Sequence, residues 1–356
     1  MINLDDRNQI ALLDKSNVLS SIEQLPDQIK DAWEKTSGNN YQDYVLGVDH
    51  IVVAGMGGSS LGAAVVSSLA KSSLKCPLEL IKDYSLPKYV NQNTLVILSS
   101  YSGTTEETLA AAIDAKAAGA RIAAVTSGGD LEKLIKTENY PHYLIDPRFN
   151  PSNQPRMAIG YAIVGLIGLL KSFGLMNDAG FNIHKTVDFL KSNTKNLNPE
   201  SGDNLAKTLA YSAESKIIYL VSAEHLCGAN HVMNNQLNEN AKHLTVELQL
   251  PELNHHYMEG LRYPESTKQN IVFWFINSNL YSPKLQLRTS LTKDVVTQNG
   301  YTAEIINITT DDKFTQAFEL IQLGSFINFY LAMIHGIDPT PIPWVDYFKD
   351  QLKKHS

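Results

Sequence analysis

The sequence is poor in cysteine, in net basic charge and in long hydrophobic runs, and each shortage excludes a class of protein. Its two cysteines, Cys76 and Cys227, show no Cys-x-x-Cys spacing, so we expect neither a disulfide framework nor a zinc site. Thirty Lys and Arg against 37 Asp and Glu give a formal net charge of −7, which speaks against a nucleic-acid partner. The longest apolar run, residues 157–170, is shorter than the roughly 17 to 25 residues that span a bilayer. We expect that run to be a buried core helix, and we expect the protein to make no contact with a membrane.

The remaining composition is that of a folded globular chain. Hydrophobic residues make up 43% and charged residues 19% of its 356 residues. At roughly 150 residues per domain, this length favours two domains. The first residues lack the basic and apolar regions of a signal peptide, so we expect a cytoplasmic protein.

Short β-branched runs alternate with helical stretches through most of the chain, a texture typical of parallel βαβ units. We predict an α/β fold with two doubly wound parallel-sheet subdomains and helical segments at both ends. The predicted parts are a helical lead-in (1–44), a first subdomain (45–174), a helical connector (175–215) and a second subdomain with C-terminal helices (216–356). The predicted strands are 50–54, 78–81, 94–99, 121–126, 216–221, 270–277 and 301–308.

A glycine-rich turn, Gly55-Met-Gly-Gly-Ser-Ser-Leu-Gly62, stands between the first predicted strand and a helix. At such a helix start, backbone N–H groups and hydroxyl groups can bind a phosphate or another anion. A dinucleotide fingerprint fits less well because Ser60 stands where its third glycine would be. A nucleophile elbow fits less well because only a helical segment precedes the first strand. A turn without a ligand stays an alternative; the candidate binding residues are Gly57, Gly58, Ser59 and Ser60.

A second polar turn, Ser99-Ser-Tyr-Ser-Gly-Thr-Thr-Glu-Glu-Thr108, again stands after an apolar strand and before a helix. Its hydroxyl groups suit a phosphate monoester. The alternative is that Thr104 and Glu107 form a capping box that serves only helix stability. Two donor-rich turns at neighbouring strand ends favour a ligand crevice. The candidate binding residues here are Ser100, Ser102, Thr104 and Thr105.

These turns resemble the phosphate site of the sugar isomerase (SIS) domain, which is serine-rich and then reads Gly-x-Thr-x-Glu-Thr. Further segments, from about residue 45 to the C-terminus, are similar to the bifunctional phosphoglucose/phosphomannose isomerase family. They are Pro151-Ser-Asn-Gln-Pro-Arg156, Asn238-Glu-Asn-Ala-Lys242, Leu250-Pro-Glu-Leu-Asn-His255, and Tyr330-Leu-Ala through Asp338-Pro-Thr-Pro341 followed by Lys349. Two departures are His256, where the family more often has a polar amide, and Ser325, where it commonly has an acidic residue.

The resemblance implies an aldose–ketose isomerase that interconverts glucose 6-phosphate and mannose 6-phosphate with fructose 6-phosphate, without a cofactor or metal. It assigns Glu239 as the base that moves a proton between C2 and C1, and Arg156 as the cation that stabilises the enediolate. It assigns His255 to ring opening, with Lys349 as its assistant. Thr340 is the candidate for tolerance of both epimers. Family members are homodimers whose ring-opening histidine reaches the partner's site, so we expect a homodimer.

Each of these side chains also has an ordinary structural interpretation. Glu239 can pair with Lys242 at i,i+3 on a solvated helix face, and Arg156 can form a salt bridge at a helix start. Two other functions stay open. A non-catalytic sugar-phosphate sensor would need the hydroxyl-rich turns but neither Glu239 nor His255, and a different isomerase or lyase of the same fold would act on another sugar phosphate.

Overall fold

Two parallel β-sheets, one in each half of the chain, organise the fold. The computed structural model describes residues 2–177 and 180–355. Its strands are β1 (His50–Ala54), β2 (Leu78–Ile81), β3 (Thr94–Ser100), β4 (Arg121–Thr126), β5 (His142–Leu144), β6 (Ile217–Ser222), β7 (Thr245–Gln249), β8 (Ile271–Ser278) and β9 (Thr302–Ile308). The sheet orders are β2-β1-β3-β4-β5 and β7-β6-β8-β9, with all neighbours parallel. The predicted fold class is confirmed.

The helices cover the sheets and form both ends of the described chain. They are α1 (Arg7–Ala11), α2 (Val18–Glu23), α3 (Leu25–Thr36), α4 (Gly58–Leu69), α5 (Glu106–Ala117), α6 (Gly129–Glu138), α7 (Ile159–Ser172), α8 (Ile183–Leu197), α9 (Leu205–Ala213), α10 (Cys227–Glu239), α11 (Leu253–Gly260), α12 (Pro283–Gln298), α13 (Lys313–Ile334) and α14 (Pro343–His355). The apolar run at 157–170 forms the buried helix α7, as predicted.

Of the nine strands in the described residues, seven begin and end within one residue of their predicted bounds. The prediction missed β5 and β7. Both are edge strands: β5 has three residues, and β7 exposes part of its polar sequence Thr-Val-Glu-Leu-Gln. An edge strand buries less of its surface than a central strand, so its sequence shows a weaker hydrophobic pattern.

One continuous hydrophobic core joins the two halves. Helices α4 and α10, each the first helix after the first strand of its half, pack directly on each other. A Cβ at Gly228 would lie 2.4 Å from Ala64 O, so only glycine allows the start of α10 to approach α4 this closely. The Gly228 N–H also donates to Ser68 Oγ at 3.1 Å.

Helix α13 is long and apolar enough to cross a membrane by length and composition. However, 89% of its most apolar 18-residue window is buried inside the fold. It packs against α8, α9 and α10, so it acts as a central core helix that receives contacts on every side.

The contact between α4 and α7 gives a direct test of the packing around the first sheet. A Cβ at Gly62 would lie 2.7 Å from the carbonyl carbon and oxygen of Ala162. Gly62→Ala should therefore lower the free energy of unfolding by about 1–3 kcal/mol through overpacking, despite the roughly 1 kcal/mol by which Ala favours a helix interior. Urea denaturation measures the change. At Gly38 an added methyl group would have no atom within 4 Å, so Gly38→Ala is the control; equal effects of the two substitutions would contradict this packing.

Candidate active site

The two hydroxyl-rich turns lie side by side at the topological switch point of the first sheet. This reversal point is the position between β1 and β3, from which successive strands are added in opposite directions. They follow β1 and β3, which pair in register from His50 with Thr94 to Ala54 with Leu98, so both turns leave the same edge of the sheet. In open α/β sheets, ligands bind in the crevice at this point. The turns also bond to each other, because Tyr101 N donates to Ser59 Oγ at 2.8 Å and Ser99 Oγ donates to Ser59 O at 2.7 Å.

The second turn is folded by its own hydroxyl groups. Ser100 Oγ lies 2.8 Å from Thr105 Oγ1 and accepts a hydrogen bond from Gly103 N at 3.1 Å. Ser102 Oγ accepts from the N–H and the hydroxyl of Thr104, at 3.3 and 3.1 Å. Four hydroxyl groups therefore surround the start of α5, as predicted.

The capping-box interpretation of this turn is wrong. Helix α5 begins at Glu106, and its N-cap is Thr105, one residue later than the capping box requires. Within the described chain, the side chain of this N-cap makes no capping hydrogen bond, and Thr104 Oγ1 is directed to Ser102. The first N–H groups of α5 consequently have no side-chain acceptor from the cap.

Two adjacent glycines serve different purposes in the first turn. Gly57 has a φ of +47° and no atom within 4 Å of a Cβ position, so it provides the left-handed turn and faces open space. A Cβ on Gly58 would lie 2.9 Å from Arg156 N, so this glycine lets the turn pack against the Arg156 segment. Gly58 thus brings the first hydroxyl-rich turn into contact with the segment that contains Arg156.

Arg156 is a buried guanidinium with 1% exposure, and it joins three segments of the chain. Its Nε donates to Asn240 Oδ1, and its Nη1 donates to Gln154 Oε1 at 3.0 Å and to Glu239 Oε2 at 3.2 Å. Its Nη2 donates to the carbonyl oxygens of Pro339 and Thr340, at 3.0 and 2.8 Å. We call residues 338–340 the strap.

Burial lowers the pKa of Arg156 below its ordinary value, and the nearby carboxylate of Glu239 opposes that shift. The side chain of Glu239 is 27% exposed, so its carboxylate contacts the buried guanidinium and is also accessible from solvent. The proposed pairing of Glu239 with Lys242 on a solvated helix face does not occur, because Lys242 Nζ donates to three main-chain carbonyls instead. The carboxylate at the end of α10 is therefore oriented by Arg156.

The equivalent crevice of the second sheet is closed by side chains. At the ends of β6 and β8, His225 and Ser278 both bond to Gln316 Oε1, at 2.8 and 2.6 Å. Ala223 N donates to Tyr281 OH at 3.1 Å. All these side chains are buried, so the two halves share a strand order but differ at the reversal point.

Comparisons with known proteins find a match in each half of the chain. The Bacterial phospho-glucose isomerase C-terminal SIS domain model matches residues 202–352, and the SIS domain model matches residues 46–134. A bifunctional phosphoglucose/phosphomannose isomerase of Caldicellulosiruptor bescii is 32% identical over 94% of this chain and 98% of its own length. The chain belongs to the bifunctional phosphoglucose/phosphomannose isomerase family.

A further relative supports that placement. The family member of Aquifex aeolicus is 28% identical, over 86% of this chain and 91% of its own. A solved structure of a hypothetical protein from Thermus thermophilus superposes with a TM-score of 0.75, covering 98% of this chain and 93% of that one at 17% identity. This likeness shows a shared fold.

Within one chain of this family member, the predicted residues are only partly assembled. Arg156, Glu239 and Thr340 lie together. His255 on α11 and Lys349 on α14 are exposed, and no hydrogen bond or ion pair joins either side chain to Glu239 in residues 2–177 and 180–355. Their roles stay predictions.

Sequence reasoning missed the residues that hold Arg156 in place. Gln154 and Asn240 both accept from its guanidinium, and Asn240 Nδ2 donates to Asn328 Oδ1 at 2.8 Å. Gln154 and Asn240 stand beside Arg156 and Glu239 within the motifs of the family. Their amide side chains, two residues before Arg156 and directly after Glu239 in the sequence, are the signal that could have identified them.

A pair of stacked histidines, His243 and His335, lies where the chain leaves α10. His243 Nδ1 is 3.2 Å from His335 Nε2, and His243 Nε2 is 2.6 Å from Lys216 O. Burial lowers the pKa of both histidines, and for His243 the neighbouring His335 lowers it further. The pair joins the loop after α10 to the end of α13.

This pair should make folding sensitive to acid. Because the folded-state pKa values lie below the ordinary value of about 6.5, the unfolded chain binds more protons than the folded one as pH falls below about 6.5. The urea midpoint should therefore fall from pH 7 towards pH 5.5. His335→Gln should flatten that slope, whereas replacement of the exposed His184 by Gln should not. Equal slopes in wild type and His335→Gln would contradict this account.

Proposed function

We propose that the protein is an aldose–ketose isomerase that interconverts glucose 6-phosphate and mannose 6-phosphate with fructose 6-phosphate. The observation that carries this proposal is the position of the Arg156–Glu239 pair beside two phosphate-type turns. Gly58 of the first turn packs against the main chain of Arg156, because a Cβ at Gly58 would lie 2.9 Å from Arg156 N. A sugar phosphate bound at the turns would therefore lie beside the segment that carries the Arg156–Glu239 pair.

The turns would bind the phosphate through neutral donors. The available donors are the hydroxyl groups of Ser59 and Ser102, one hydroxyl of the Ser100–Thr105 pair, and the main-chain N–H groups at the start of α5. The Thr104 hydroxyl donates to Ser102 Oγ in this structure and would have to turn to reach a phosphate. Helix N-termini carry partial positive charge, so an anion is favoured there even though the chain has a net charge of −7.

Glu239 is the base in this proposal. Its carboxylate takes the proton from C2 of the open-chain aldose, which leaves the enediolate that the aldose and the ketose share. The proton then returns to C1 while the hydroxyl proton on O2 passes to O1, so that the C1 aldehyde becomes an alcohol and the C2 alcohol becomes a ketone. The reverse direction takes the proton from C1. Rotation of the intermediate about its C2–C3 bond would present either face of C2 to the carboxylate, so return of the proton there gives the glucose or the mannose epimer.

Arg156 has a double task here. All of its donor nitrogens already have acceptors in the described structure, so it orients Glu239 through a hydrogen bond at 3.2 Å. Its charge, 1% exposed, also stabilises negative charge that develops on the enediolate. A charge in such a low-dielectric position acts over a longer distance than one in water.

Ring opening would need a second copy of the chain. His255 is exposed on α11, and Lys349 is exposed on α14. The charge of Asp346, in the first turn of α14, acts to raise the pKa of Arg156. Helix α14 has no buried residue, and Trp344 and Phe348 are 82% and 61% exposed on it. We infer a homodimer that covers this apolar surface and brings His255 of one copy to the site of the other.

Thr340 stays the candidate for tolerance of both epimers. Its carbonyl oxygen accepts from Arg156, while its Oγ1 is buried with no hydrogen-bond partner in the described structure. A buried hydroxyl without a partner is costly, so a substrate hydroxyl that satisfied it would be favoured.

A coupled assay tests this function. Purified protein should convert glucose 6-phosphate and mannose 6-phosphate to fructose 6-phosphate at comparable rates, because both pass through the same enediol. Turnover of a single epimer would contradict the bifunctional part. Binding of both sugar phosphates without turnover would favour the non-catalytic sensor.

A further inference from the structure

Lys242 stands where the end of α10 meets the strap. It follows Glu239, Asn240 and Ala241, and its main chain turns into the left-handed region with a φ of 51°. A residue with a Cβ rarely adopts this conformation. The turn places the Lys242 ammonium within 3.2 Å of Asn240 O, back towards the end of α10.

The ammonium fits a set of three carbonyl oxygens. Besides Asn240 O, Nζ donates to Asp338 O at 3.1 Å and to Pro339 O at 3.0 Å. A protonated lysine has three N–H donors and no acceptor, so its donors and these acceptors match in number. The neutral amine has only two N–H groups, so it could donate to only two of these three carbonyls.

Lys242 and Arg156 bind the strap together. Pro339 O accepts from Lys242 Nζ and from Arg156 Nη2, each at 3.0 Å. Arg156 in turn bonds to Glu239 and Asn240. These bonds form a closed ring that connects the end of α10, the buried guanidinium and the strap.

The strap is also the attachment of α14. Helix α13 ends at Ile334 and α14 begins at Pro343, and α14 buries no residue of its own. The bonds to the strap carbonyls therefore fix the chain just before the helix that contains Lys349.

We propose that Lys242 is a positioning residue of the isomerase site: its ammonium ties the strap to the end of α10 and so holds the Glu239–Arg156 pair and the base of α14 in place. The proposal rests on the function proposed above. The structural part of the proposal is that Lys242 ties the strap to the end of α10. It can be tested without measuring enzyme activity.

The surroundings of Lys242 make its protonation depend on pH. Lys242 is exposed overall, but partial burial of its ammonium and the charge of Arg156 lower the pKa of Lys242 to about 8, while Asp338 and Glu239 act in the opposite direction. Below that pH the lysine is charged and all three carbonyls have donors. As pH rises above it, the tie to the strap should weaken.

Kinetics across pH test the role in the site. In wild type, kcat should fall as pH rises through about 8. Lys242→Met should lower kcat about 10- to 100-fold at pH 7, as expected for a misplaced reacting group, with little change in KM and without this alkaline limb. Lys242→Arg should recover part of kcat and move the limb to higher pH, because a guanidinium stays charged.

Hydrogen exchange measured by mass spectrometry gives the readout that is independent of activity. At pH 7 the peptide that contains the strap should exchange faster in Lys242→Met than in wild type. Lys133, 80% exposed on α6, provides the matched control, so Lys133→Met should exchange as wild type does and keep its kcat.

Two results would overturn the proposal: equal exchange of the strap in Lys242→Met and wild type, or an unchanged kcat and alkaline limb in that variant. If Lys242→Met does not fold, Lys242→Arg decides, since an alkaline limb that stays at its wild-type pH would assign the titration to another group. An inactive wild type would contradict the proposed function instead, and the exchange comparison would still test the tie to the strap.

Discussion

The buried guanidinium of Arg156 is the interaction on which the site depends. Removing a charge from water costs several kcal/mol, so such a group is stable only with well-placed acceptors. Here the acceptors come from Gln154, from Glu239 and Asn240 at the end of α10, and from the strap. Because these groups are far apart in sequence, folding of both halves is required before the charge is satisfied.

The sequence predicts the fold well where hydrophobic patterns are strong. Central strands such as β1 and β4 match their predicted bounds because buried parallel strands have nearly continuous β-branched or apolar residues. The edge strand β7 escapes prediction because polar residues interrupt its pattern. The short strand β5, with three residues, is too brief to show a pattern at all.

The candidate site is predictable in its parts and less so in its arrangement. The motifs locate Glu239 and Arg156 and place the amide of Asn240 next to Glu239, but no local pattern shows that Asn240 would reach the guanidinium across the two halves or that the strap carbonyls would join it. Such contacts join residues more than 80 positions apart. The proposed role of His255 also requires a second copy of the chain, because within one chain this exposed histidine does not lie at the carboxylate of Glu239.

The two halves have a common strand order but contribute different parts of the candidate site. The first half keeps an open reversal point with hydroxyl-rich turns, while the second closes its own with Gln316 and Tyr281. The second half instead contributes the carboxylate at the end of α10 and the strap. The close packing of α4 on α10 brings these contributions together, so the site belongs to the junction of the halves.

Solvent exchange of the transferred hydrogen tests the central claim, that Glu239 is the base which Arg156 orients. In D₂O, wild type should introduce deuterium at C1 of fructose 6-phosphate. Glu239→Gln should lose this exchange and reduce turnover by about 10²- to 10⁴-fold, with sugar-phosphate binding retained. Glu252, a carboxylate 79% exposed near His255, is the matched control, and Glu252→Gln should exchange as wild type does. Full exchange in Glu239→Gln would show that another group is the base and would contradict the account.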